Sequence, residues 1–71
     1  MEYLLVRFKE RRKVIVDGEY NGWTEELIEL EAGTHTISLA PPNNFKPLKE
    51  AVTLRDTDTI SPMEVKFVYR Y

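Results

Sequence analysis

Apolar and polar residues alternate with a period of two along most of this chain, the pattern of strands that turn one face inward. Leu4, Val6 and Phe8 alternate with Tyr3, Leu5 and Arg7 and predict a first strand. Lys9 to Arg12 read as a solvated turn and Lys13 to Val16 as a second strand, with Val14 and Val16 on one face and Ile15 on the other. Asp17-Gly18 stops that strand, and Asn21-Gly22 is the stronger turn pair, so two tight changes of direction are predicted close together. Ile28 and Leu30 flank Glu29 in a short strand, which Glu31-Ala32-Gly33 turns into Thr34 to Ala40. There the alternation is cleanest, with His35, Ile37 and Leu39 inward and Thr34, Thr36 and Ser38 toward water.

Pro41-Pro42 cannot continue a central strand, because neither residue has a ladder donor, so the stretch to Pro47 is expected to be a loop carrying Phe45. Ala51 to Leu54 predict a fifth strand, Asp56 to Asp58 a polar turn, and Val65, Phe67 and Tyr69 the inward face of a sixth. The best helical segment, Thr24 to Leu30, has a capping hydroxyl but ends within two turns at Ala32-Gly33, too short to stand without packing. The expected fold is all-β, a single module over residues 1–71, arranged as a small antiparallel two-layer sandwich or partly open barrel of about six short strands. Its edges are exposed, and strand addition, including a homodimer through Leu4-to-Phe8 or Val65-to-Tyr69, is a natural mode of association.

At 71 residues the chain buries only about 60% of the surface its unfolded form exposes, which leaves little to hold a deep pocket open. It has no cysteine, so disulfides and thiolate metal sites are excluded and a reducing, cytoplasmic setting is expected; a domain cut from a longer exported protein would look the same. The apolar run before Arg7 is only four residues, too short for a signal-peptide core, and no segment has the length of a membrane span. A net charge of −2 argues against general nucleic-acid affinity. The distribution is uneven: five basic residues from Arg7 to Lys13 against Glu10 alone make a local +4, and the acidic stretch from Glu19 to Glu31 follows. Such a dipolar surface suits a protein partner at least as well as a polyanion.

The central segment resembles the PEGA family of small β modules. The resemblance rests on V-I-V-D-G at 14 to 18, G-W-T at 22 to 24, Ile28 and Leu30, and A-G-T-H-T-I at 32 to 37 followed by Leu39. Asp17-Gly18, Gly22 and Thr24 match the family's D-G-x-x-x-G-x-T spacing, and Gly33-Thr34-His35 its G-x-H turn. The match is clearest over residues 14–40, with plausible strands to about 68; Glu25 stands where the family usually has proline, and Asn44-Phe45 where it usually has Gly-Tyr. The resemblance implies a non-enzymatic accessory module of the kind joined to larger surface or signalling proteins, to which carbohydrate or protein binding is ascribed. It carries over no catalytic or cofactor-binding residue.

Candidate chemistry is sparse. His35 is the only histidine and lacks an evident second group for acid–base or nucleophilic work, so it reads as a packed, hydrogen-bonded structural residue. One histidine and no cysteine leave no transition-metal set, and Asp56-Thr57-Asp58 lacks the glycine and distal glutamate of a calcium loop. Trp23 is expected to pack, since so small a core needs its largest apolar side chain, while Tyr20 is open between packing and exposure. Phe45, between Asn44 and Lys46, is the aromatic expected to stand out for a partner. The basic run reads first as a solvated hairpin tip, because Phe8 alternates into the core rather than offering a stacking platform.

The expectation is therefore a non-catalytic module without cofactor or metal that docks a protein partner. The binding candidates are Tyr20, Trp23 and Phe45, with Arg11, Arg12 and Lys13 supplying salt-sensitive attraction. A carbohydrate-binding module using Trp23 or Tyr20 as platform is the alternative, and nucleic acid ranks below both.

Overall fold

The computed structural model describes residues 1–70, and all of its regular structure is β. In chain order the strands are β1 (Glu2–Arg7), β2 (Lys13–Val16), β3 (Glu19–Trp23), β4 (Leu27–Leu30), β5 (Gly33–Leu39), β6 (Phe45–Lys46), β7 (Glu50–Leu54), β8 (Met63–Lys66) and β9 (Val68–Tyr69). They form a three-stranded sheet of order β4-β1-β8, a four-stranded sheet of order β3-β2-β5-β7, and a two-stranded β6-β9 ladder. The all-β expectation holds, with nine strands instead of about six. β3 and β6 are too polar or too short to show a period-two pattern, and the strand expected through Val65, Phe67 and Tyr69 divides at Phe67 into β8, which pairs with β1, and β9, which pairs with β6. All pairs are antiparallel except β1 with β8, which run parallel through Leu4↔Met63 and Val6↔Val65.

One core draws on both larger sheets: Leu4, Val6, Ile28, Leu30 and Val65 from one, and Val14, Val16, Ile37, Leu39 and Leu54 from the other. These are the inward positions of the alternation, and His35, Ile37 and Leu39 lie on the inner side of β5 as expected. Four aromatic rings tie the β6-β9 ladder to that core. Phe45 packs edge-on to Phe67 and Phe8, at centroid distances of 5.7 and 6.4 Å, and Tyr69 lies 4.9 Å from Phe8.

The short strand expected at Ile28 and Leu30 is present as β4, with both residues buried and no helix over Thr24 to Leu30; Glu25 takes φ 63°, a value closed to the proline usual in the family. Two expectations change. Asn21-Gly22 is not a turn but a bulge inside β3, where two residues oppose Val14 because Lys13 pairs with Trp23 and Ile15 with Tyr20. Gly22 has φ 83°, and a Cβ there would come within 2.7 Å of Ile28 Cγ1, so both conformation and space require glycine. The reversal falls instead at Asp17-Gly18, with φ of 52° and 87°, the two-residue hairpin turn that needs positive φ at both centres. Finally, β1 is the middle strand of its sheet, so Leu4-to-Phe8 has no free edge through which to dimerise; the free edges of the two larger sheets belong to β3, β4, β7 and β8.

Candidate functional site

The β2-β3 hairpin brings four of the six candidate side chains together. Cross-strand pairing places Lys13 opposite Trp23 and Ile15 opposite Tyr20, and directly opposed residues share a face of the sheet. The bulge closes the spacing between Tyr20 and Trp23, so both rings come within reach of one lysine. Lys13 Nζ lies 5.2 Å from the Tyr20 ring centre and 5.7 Å from that of Trp23. The Arg11 guanidinium sits 3.8 Å over the Trp23 ring and pairs with Glu26 at 3.1 Å. Cation and aromatic thus alternate in the order Arg11, Trp23, Lys13, Tyr20. Tyr20 is 61% exposed, and Trp23 is partly buried. Each exposed cation–π contact contributes about 0.5–1 kcal/mol, enough to hold four long side chains in a preferred array.

Arg12 and Phe45 do not belong to this surface. Phe45 is 1% exposed: the proline loop folds back, β6 pairs with β9, and the ring fills the core. Arg12 is 8% exposed, with its guanidinium donating to the Pro42 carbonyl at 2.9 Å, to Asn44 Oδ1 at 2.7 Å and to the Glu10 carboxylate. It lies 5.1 Å from the Phe8 ring centre and 5.8 Å from that of Phe45. It is a structural clamp on the loop that was expected to carry an exposed Phe45, and its charge is spent within the molecule. Nothing in the alternation separates Arg12 from Arg11; only the acceptors supplied by residues 40–44 do.

His35 is hydrogen-bonded at both ring nitrogens, Nδ1 to Asp17 Oδ2 at 2.7 Å and Nε2 to the Glu31 carbonyl at 2.8 Å. A carbonyl can only accept, so Nε2 carries a proton, and Nδ1 must carry one as well to donate to Asp17. The ring is satisfied as imidazolium. Its pKa is raised, first by the Asp17 hydrogen bond and then by the Glu31 carbonyl. Asp17 is held below the usual carboxylate range, first by the Thr36 N–H that donates to Oδ1 at 2.9 Å and then by His35. A histidine oriented by aspartate is two-thirds of a nucleophilic triad, but here the second nitrogen is committed to backbone and no hydroxyl is poised on it. Among the described residues no three His, Cys, Asp or Glu side chains gather to hold a metal ion. Asp58 Oδ1 accepts the N–H groups of Ile60 and Ser61, a local turn cap.

Thr24 carries two sequence signals, a capping hydroxyl and the threonine of the family's turn element, and the structure gives it a larger part. Fully buried, it accepts from the Arg12 N–H at 2.9 Å and donates to the Glu10 carbonyl at 2.8 Å, pinning the segment that presents Arg11. The next two residues serve different places, Glu26 binding Arg11 and Glu25 binding Arg7. The signal for Thr24 was its fixed distance from the Asp17-Gly18 turn, which carries no information about its acceptor and donor. The family model described as the PEGA domain matches residues 9–66, a span that takes in the whole hairpin and the Asp17–His35 pair. No match is found among curated proteins or among solved structures.

Proposed function

The chain belongs to the PEGA domain family, and from that premise we propose that it is a non-catalytic module that docks a protein partner through the outer face of the β2-β3 hairpin. The observation that carries this reading is the Arg11, Trp23, Lys13, Tyr20 array on an edge hairpin. Tyrosine, tryptophan and arginine are the residues on which protein interfaces concentrate their affinity, and this array presents them prearranged by mutual contact. Lys13 has no carboxylate partner among the described residues, so it supplies uncompensated charge for steering. The committed second nitrogen of His35 supports a role without catalysis.

The carbohydrate alternative draws on the exposed Tyr20 ring. It draws less on Trp23, which is partly buried and has the Arg11 guanidinium 3.8 Å over its ring.

The test is affinity capture from nuclease-treated extract of the source cells, comparing wild type with Tyr20→Ala and Lys13→Glu. Saturable retention of one protein by wild type, reduced about tenfold or more by Tyr20→Ala and made less salt-sensitive by Lys13→Glu, is the expected result. Equal retention by both folded variants removes the hairpin from the site. Retention of glycan with no protein transfers the site to carbohydrate.

A further inference from the structure

A second concavity lies apart from the hairpin array. The end of β1 and its following residues, β8 and β9 enclose an open groove of 780 Å³, within the range of small-ligand pockets (about 300–1,000 Å³). Its apolar lining comes from Phe8, Phe67, Val68 and Tyr69, of which Val68 stays 40% exposed. The charges on its rim divide into two sets. Arg7 Nε donates to Glu25 at 3.0 Å and Nη1 to Glu64 at 3.3 Å, while Glu25 also accepts the Phe8 N–H at 3.0 Å. Arg7 engages both carboxylates, which leaves that set at a net charge of −1. Lys9 and Lys66 also line the groove, and neither has a carboxylate partner among the described residues.

With three cations against two carboxylates, both already engaged by Arg7, the groove carries a net charge of +1 and two ammonium groups without an ion-pair partner, which favours an anion. We propose that the groove binds an amphipathic organic anion, its apolar or aromatic body against Val68 and Tyr69, over a floor backed by the buried Phe8 and Phe67, and its carboxylate held by Lys9 and Lys66. A cationic ligand would meet Arg7, Lys9 and Lys66, three cations against two carboxylates that Arg7 already engages. A neutral one would leave both lysines unused. The site shares no residue with the hairpin array and stands whether or not that face docks a protein.

The probe set is phenylbutyrate, phenylbutanol and phenylbutylamine, which share a body and differ in head-group charge. Each is titrated into the folded protein and followed by amide chemical shifts. Phenylbutyrate is expected to shift amides of residues 7–9 and 66–69 saturably and to bind about tenfold more tightly than the alcohol, as two exposed ion pairs allow. Lys9→Glu with Lys66→Glu should abolish that preference, the milder Lys→Gln pair should reduce it, and Lys13→Glu should leave it intact. The absence of saturable shifts, shifts confined to other residues, or equal affinity for the amine overturns the proposal.

Discussion

Adjacent arginines perform different work here, and the reason is where each finds its acceptors. Arg11 lies on the surface over Trp23, with Glu26 as an exposed partner. Arg12 is buried, and its guanidinium is satisfied by oxygen atoms of Glu10, Pro42 and Asn44. Replacing both together, the obvious test of a basic patch, would confound binding with folding. Arg12→Ala is expected to destabilise the protein by about 2 kcal/mol, from the charged hydrogen bonds and the stem packing that are lost. Arg11→Ala should cost about 1 kcal/mol or less. Urea denaturation of the two single variants checks this, and equal midpoints would refute the distinction.

At the scale of elements, the Asp17–His35 pair fastens the β2-β3 turn to β5. Asp17 N donates to the Thr36 carbonyl, Thr36 N returns a bond to the Asp17 side chain, and His35 adds the third link together with Glu31 before β5. The charged side chains lining the depression with His35 are Asp17, Glu19, Glu29 and Glu31, all acidic, and the Met1 ammonium is the one other cation there. Because its pKa is raised in the fold, the stabilisation is complete below the ordinary value of 6.5 and is lost as pH rises through the higher folded value. Asp17, with a lowered pKa, contributes above the ordinary carboxylate value of 3.8 and loses its contribution as pH falls through the depressed one. Wild-type urea midpoints are expected to decline from about pH 6 to about pH 9, and His35→Gln should flatten that limb. An identical decline in the variant would assign it to other groups.

At the scale of the whole molecule, the small core leaves little reserve. A chain of 71 residues has a net stability of about 4–10 kcal/mol. Phe45 joins β6 to the rings of Phe8 and Phe67 and lies under Arg12, so one side chain links the two-stranded ladder to the main core. Phe45→Ala is expected to cost about 3–5 kcal/mol. Thermal denaturation followed by circular dichroism should show a large loss of cooperative folded protein. A variant with near wild-type stability would return Phe45 to the surface role that its place in a proline loop suggested.

The sequence by itself determined the all-β class, the inward face of each long strand, the Asp17-Gly18 reversal and the structural character of His35. Those features follow from a period of two and from residue types suited to particular backbone angles, which are local properties. Membership of the array was half legible: Tyr20, Trp23, Arg11 and Lys13 could be named, but their stacking could not, because a bulge at Gly22 sets the spacing of the rings. Only the tertiary structure decided that Asn21-Gly22 continues a strand, that β1 is central, and that Phe45 and Arg12 are interior. In each case the deciding contacts come from residues distant in the chain: Ile28 against Gly22, β4 and β8 flanking β1, and Asn44 and Pro42 receiving Arg12. Burial of a loop aromatic or a charged side chain depends on the partners that meet it, and no local pattern records them.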